Sequence, residues 1–209
     1  MSNEEKFLNA VKELRKSEKK INFNQTVDLI INLKDFDVRR EAFNIFIQLP
    51  NKIKDKKIVG FFEKDSELID VIKKPEFGKY KDKKEVKKLL KDYDFFIANA
   101  KLMPSIATEF GRVLGPAGKM PSPQLGILPN EEDKLIESLI KKINSTVRIR
   151  VKEPSIKVAI AKESLGDENI AKNALTVYNK ILETLPRKKD NIKNVKIKLT
   201  MTKSIRVEI

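Results

Sequence analysis

The chain has 209 residues, 40% of them hydrophobic and 35% charged, enough apolar material for a buried core beneath a heavily ionised surface. Lysine and arginine number 44 against 30 acidic residues, a formal charge of +14, and an imbalance of that size calls for a polyanionic partner such as a phosphate backbone. Cysteine and histidine are both absent, which excludes disulfides, zinc sites of the usual ligand types and every nucleophile–imidazole pair.

Ser2 with Glu5 forms a capping-box pattern, and Phe7, Leu8, Val11 and Leu14 follow at helical spacing, predicting a helix that ends around residues 17–20. Val27, Leu29, Ile31 and Leu33 then alternate with Asp28, Ile30 and Asn32, and Phe43, Ile45, Ile47 and Leu49 repeat the pattern. Period-two spacing predicts sheet with a buried face. From residue 58 the texture changes. The continuous apolar runs Ile58-Val59-Gly60-Phe61-Phe62 and Phe95-Phe96-Ile97-Ala98 suit strands covered on both faces of a parallel sheet. Helical patterns are read at residues 67–72, 82–90, 102–114 and 131–143, the last led by Asn130 as a cap. Strands alternating with helices predict a small α/β unit.

After this unit the alternation returns in Val147, Ile149 and Val151, then Ile156, Val158 and Ile160. A helix over residues 167–185 carries Ile170, Ala174, Val177, Tyr178, Ile181 and Leu182 on one face, and Pro186 closes it. In the last strand region Val195, Ile197, Leu199, Met201, Ile205, Val207 and Ile209 occupy odd positions, with Lys196, Lys198, Thr200, Thr202, Ser204 and Arg206 on even ones. The two alternating regions are read as halves of one α+β domain, residues 1–57 and 155–209, with 58–154 inserted. The chain then crosses between domains twice, the geometry of a hinge. The split domain holds 25 basic and 15 acidic residues and the insertion 19 and 15, so the split domain is expected to bind the polyanion.

No stretch approaches the roughly 20 apolar residues of a membrane span. The residues Met1-Ser2-Asn3-Glu4-Glu5-Lys6 lack the form of a secretion signal, so a cytoplasmic protein without a membrane partner is expected. The Gly/Pro-rich segment 112–123 tempts a P-loop reading, but Val113 stands where that motif has Gly and Met120 where it has Ser or Thr. It reads instead as a helix end at Gly115 and a proline-fixed loop. Glu109, Asp92 and Asp94 do not recur at a ligand spacing, so neither a metal site nor another cofactor site is expected. The rival readings are a Mg²⁺-dependent RNA-processing enzyme and a sequence-indifferent DNA-binding protein.

Met103-Pro104-Ser105-Ile106-Ala107 and Gly111-Arg112-Val113-Leu114-Gly115-Pro116-Ala117-Gly118-Lys119-Met120-Pro121 resemble the signature of the ribosomal protein L-one family, in its archaeal branch. Phe23-Asn24-Gln25-Thr26-Val27, Asp37-Val38-Arg39-Arg40, Leu49-Pro50 and Thr200-Met201-Thr202-Lys203-Ser204-Ile205-Arg206 fall in the family's order. The resemblance implies a split two-layer α+β domain that binds large-subunit rRNA at the mobile stalk, and an inserted Rossmann-like α/β domain that reaches towards the exiting tRNA. It implies a protein without enzymatic activity, monomeric off the ribosome, that also represses translation by binding an rRNA-like site on its own mRNA. Carried over, the rRNA-binding core comprises Phe23, Thr26, Thr200, Met201 and Ser204. Thr202-Lys203 stand where the bacterial pattern has Gly-Pro, and Lys203 adds a cation.

The residues themselves agree in part. Phe23 is of a type that packs on a base or ribose, and Thr200 and Thr202 of a type that bonds 2′-hydroxyls. Lys157, Lys162, Lys196, Lys198, Lys203 and Arg206 are candidate phosphate contacts. Met201 lies on the apolar parity of its strand, so alternation buries it and only the resemblance makes it a contact.

Overall fold

The structure, a computed structural model, describes residues 2–16, 22–80 and 82–208, with the backbone alone for Lys83. In chain order its elements are α1 (Asn3–Lys16), β1 (Thr26–Leu33), β2 (Asn44–Gln48), β3 (Ile58–Phe61), β4 (Asp70–Val71), α2 (Lys83–Asp92), β5 (Phe95–Asn99) and α3 (Met103–Ala117). Then come β6 (Ile127–Leu128), α4 (Asp133–Ser145), β7 (Thr146–Arg150), β8 (Ser155–Lys162), α5 (Asp167–Thr184), β9 (Ile192–Leu199) and β10 (Ile205–Val207). Residues 17–20, where the first helix was expected to end, and Ile209 lie outside the described residues.

The chain divides into two units, Met1–Lys54 with Ser145–Ile209, and Asp55–Asn144. The second crossing lies ten residues before the 154/155 boundary read from the sequence. The reason is pairing: every residue of β7 opposes one of β2, from Asn44↔Arg150 to Gln48↔Thr146. Local alternation shows that β7 is a strand, but its partner lies about a hundred residues away.

In the first unit, β1 takes the middle of an antiparallel sheet of order β10-β9-β1-β8. Both neighbours of β1 come from the last third of the chain, so the two ends of the sequence build one sheet. The alternation in β1 matches its burial, with Val27, Leu29, Ile31 and Leu33 turned inward. Each such side chain contributes about 1.5–3 kcal/mol on burial. Helices α1 and α5 cover that face, with Phe7 against Tyr178 edge-on at 6.0 Å between ring centres. The capping box forms as read: the Glu5 amide donates to Ser2 Oγ at 3.2 Å and the Ser2 amide to Glu5 Oε2 at 2.8 Å. At the other end of α1, Arg15 pairs with Asp167 and donates to the carbonyls of Glu163 and Leu165, both at 2.9 Å, tying α1 to the loop before α5.

The second unit is a parallel sheet of order β4-β3-β5-β6 around an aromatic core in which Phe61, Phe77 and Phe110 meet at 5.1–5.7 Å between ring centres. Residues 67–72 do not form the expected helix. Six residues are too few to nucleate one alone, and Asp70–Val71 pairs with β3 while the Ile72 amide donates to the Gly60 carbonyl at 2.8 Å. Helix α3 runs past Gly115 to Ala117. Gly118 then takes φ 70°, its amide bonding to Gly115 O at 2.9 Å and that of Lys119 to Leu114 O at 3.0 Å, a Schellman ending. The Lys119 ammonium donates to the carbonyls of Leu90 and Tyr93 at 2.6 and 2.7 Å, capping the carboxyl end of α2. The lysine that invited a P-loop reading is therefore held by the chain's own backbone.

Asn130 does not cap α4. The amides of Leu135 and Ile136 close on the Glu132 carbonyl at 3.0 Å, because Glu131 is drawn the other way. Its carboxylate accepts from the amides of Glu63 at 3.0 Å and Lys64 at 3.0 Å, and from Asn99 Nδ2 at 2.6 Å. This junction lies at the carboxyl ends of β3 and β5, the switch point where doubly wound sheets hold phosphates. Burial opposes the charge on Glu131, but the donors outweigh it and hold the carboxyl below its ordinary value of 4.5. A depressed folded value means stability that is present above pH 4.5 and lost as pH falls through the folded value. Hydrogen-exchange protection of the Glu63 and Lys64 amides is expected to drop on acidification below pH 4.5, and Glu131→Gln to abolish that dependence. Protection unchanged by pH in the unaltered chain would contradict this.

Candidate nucleic-acid interface

Where β1 begins, three segments distant in sequence meet on Gln25. Its position is odd, on the inward parity of Val27 and Leu29, and it is wholly buried. A buried amide requires partners. The Gln25 backbone exchanges bonds with Glu163, its amide donating to Glu163 Oε2 at 3.1 Å and its carbonyl accepting from the Glu163 amide at 2.9 Å. Its Oε1 accepts from the Met201 amide at 3.0 Å. Asn24 bonds reciprocally with Ser164, at 3.0 and 3.2 Å, and so ties the segment before β1 to the loop after β8.

One residue on, the Thr26 amide donates to Thr200 Oγ1 at 3.1 Å, and the Thr200 hydroxyl lies 3.4 Å from the Thr26 carbonyl. Lys162, opposite Thr26 in the β1–β8 ladder, donates to its hydroxyl at 2.9 Å. The last strand region is not one strand. It breaks after Leu199, and β10 folds back so that Ile205 opposes Ile197 and Val207 opposes Val195. Parity survives across this hairpin, which is why alternation alone conceals it. Thr202 closes the turn with its own side chain, Oγ1 accepting from the Leu199 amide at 3.0 Å. Neither Thr202 nor any other residue of 200–204 has a positive φ, so a glycine is not required there.

The consequence is that two apolar side chains are held outward. Met201, assigned to the interior by alternation, is 66% exposed, because its backbone sits in the turn with its amide on Gln25. Phe23 is 49% exposed. Both flank the Gln25–Thr26–Thr200 junction, and Lys203 and Ser204 are exposed beside it. Phe23, Thr26, Lys162, Thr200, Met201, Lys203 and Ser204 thus gather at one end of the sheet. Lys157 does not. It opposes Ile30, four ladder positions or about 13 Å along β1 from Thr26, and pairs with Glu153 at 3.1 Å. Gln25 and Glu163, which position the rest, were missed as site residues. The signal for Gln25 was a polar side chain at a core parity.

The face of the sheet turned away from the helices carries the even-numbered residues. Lys198 opposes Asp28, Lys196 opposes Ile30, and Arg206 opposes Lys196. Asp28 is the one acid on β1. Partial burial raises its carboxyl above the ordinary value, and Lys198 and Lys162 pull it back without restoring it. Such a face attracts anions. Among the described residues no group of three or more acidic side chains converges as metal ligands, and no helix is long and apolar enough to cross a membrane.

A model of the ribosomal protein L1p/L10e family matches residues 14–203. The chain is 40% identical over 207 residues to large ribosomal subunit protein uL1 of Nanoarchaeum equitans, covering 94% of this chain and 97% of that one. It is 38% identical over 215 residues to the uL1 protein of Thermococcus kodakarensis, covering 98% and 97%. Against the uL1 protein of Pyrococcus horikoshii the identity is 37% over 215 residues, covering 98% and 96%.

Proposed function

The chain belongs to the ribosomal protein L1p/L10e family, and on that footing we propose that it is a non-enzymatic constituent of the large ribosomal subunit, in the cytoplasm, that grips rRNA of the mobile stalk with the Thr26–Thr200 end of its split domain. The observation that carries this reading is the outward presentation of Phe23 and Met201 from a hydrogen-bonded junction beside a cationic sheet face. A large apolar side chain kept in water on a fixed backbone is suited to stacking on an unpaired base. The lysines and Arg206 supply the salt-dependent part of the affinity, and the threonine and serine hydroxyls match 2′-hydroxyl partners. Assistance to tRNA leaving the exit site, and repression of the protein's own message through an rRNA-like site, belong to the same reading and rest on the family resemblance.

Phe23→Ala and Met201→Ala are each expected to weaken binding to large-subunit rRNA by about 5- to 30-fold, from roughly 1–2 kcal/mol of lost stacking or apolar packing. Melting temperature should hardly change, since surface substitutions of this kind stay within about 0.5 kcal/mol. Filter binding with duplex DNA as competitor, and incubation of labelled rRNA with Mg²⁺, complete the test. Unchanged affinity in both variants would contradict the assignment of the patch. Equal affinity for DNA, or protein-dependent cleavage, would favour the DNA-binding or the enzymatic reading instead.

A further inference from the structure

At the opposite end of the same sheet, side chains from well-separated stretches ring a cavity of about 820 Å³. Lys6 comes from α1, Lys34 from just beyond β1, Lys189 from the 3-10 turn Lys188–Asn191, Lys193 from β9 and Arg206 from β10. Five cations face two carboxylates, Asp190 and Glu208. Among the described residues, none of the five cationic groups takes an ion pair or a side-chain hydrogen bond. Elsewhere in this chain lysines do find partners, as Lys157 does in Glu153 and Lys162 in Thr26. Unpaired positive charges gathered by the fold around one concavity repel one another until an anion enters. The cavity is continuous in charge with the outer sheet face, because Arg206 both lines it and opposes Lys196, next in its row to Lys198. From Thr26 to Lys34 is about 26 Å of strand, the length of several nucleotides.

We propose that this cavity binds backbone phosphates of a second segment of the same RNA that engages the Thr26–Thr200 end. The inference rests on the reading of that end as an RNA site, and the two can fail separately. The RNA crosses the outer face along Lys198, Lys196 and Arg206, and its further segment settles among Lys34, Lys189 and Lys193. Contacts there are to phosphate, so they add affinity and orientation without sequence preference.

The test uses the full chain carrying Lys34→Gln, Lys189→Gln and Lys193→Gln, with hydroxyl-radical footprinting on intact large-subunit rRNA. The variant is expected to lose one discrete group of protected nucleotides and keep the others, and its plot of log affinity against log salt to be shallower by about 2–3. An unaltered footprint and slope would overturn the proposal. If the triple variant lost every protection while Phe23→Ala lost none, phosphate binding at the cavity would stand and the reading of the Thr26–Thr200 end would fall. Inorganic tripolyphosphate, followed through the backbone amide resonances of Lys193 and Asn194, separates the other source of phosphate. Tight tripolyphosphate binding that the triple variant abolishes, with RNA affinity unaffected, would overturn the RNA assignment in favour of a free phosphate compound.

Discussion

Gln25→Leu is expected to lower affinity for large-subunit rRNA by about 10- to 100-fold while leaving the chain folded. Leucine keeps the volume of a wholly buried side chain but removes the oxygen that accepts from the Met201 amide at 3.0 Å. An amide left without a partner costs roughly 1–3 kcal/mol, and the turn relieves that cost by moving its backbone towards water. Met201 and Thr200 then lose their placement relative to Phe23 and Thr26. The bonds that the Gln25 backbone makes with Glu163 do not depend on the Gln25 side chain, so this end of the sheet persists. Filter binding gives the affinity and calorimetry the stability. A variant that binds as tightly as the unaltered chain would show that the turn holds its geometry unaided.

The second large effect concerns where the inserted unit begins and ends. A chain joining residues 1–54 to 145–209 is expected to fold cooperatively and to bind rRNA within about threefold of the full protein, by the additivity of distant sites. A short linker suffices, since the Lys56 amide donates to Asn144 Oδ1 at 3.0 Å and the two crossings run side by side. Joining 1–54 to 155–209 instead deletes β7. It strips β2 of its ladder partner and removes Val147, Ile149 and Val151, exposed by only 8%, 3% and 5%. At about 1.5–3 kcal/mol each, their loss is comparable with the whole stability of a small domain. The shorter chain should fail to fold or melt at least about 20 °C lower. Equal melting temperatures would contradict the assignment of β7 to the split unit. RNA affinity that followed residues 55–144 would contradict the division of labour between the units.

Much of the fold is local and was legible as such. The alternation of Val27 to Leu33, the Ser2–Glu5 capping box and the apolar stripe of α5 each report a contact pattern set by near neighbours in sequence. What was not legible depends on partners far along the chain. Residues 67–72 carry an apolar spacing that suits a helix, yet a vacancy beside β3 recruits them as sheet. Asn130 is a good cap by type, but Glu131 is claimed by the amides of Glu63 and Lys64, and the helix starts later. The same holds for the site. Phe23 and Thr200 are recognisable by type and motif. The exposure of Met201 runs against its parity and follows from a hairpin whose register preserves alternation on both arms. Gln25 was legible only as a misfit, a polar residue in an apolar column. The motif preceding Pro121 is conspicuous because its Gly118 and Lys119 finish one helix and cap another.

The most direct measurement places a photo-crosslinking phenylalanine analogue at position 201, and as a control at position 68, where Leu68 is an exposed apolar residue of the other unit. Irradiation of cells making each protein, followed by sequencing of the attached RNA, should join position 201 to a single site in large-subunit rRNA, with little or no rRNA at that site from position 68. Attachment from position 201 to no rRNA, or to the same nucleotides as from position 68, would contradict the assignment of the RNA surface to the end of the sheet where Gln25 holds Met201 outward.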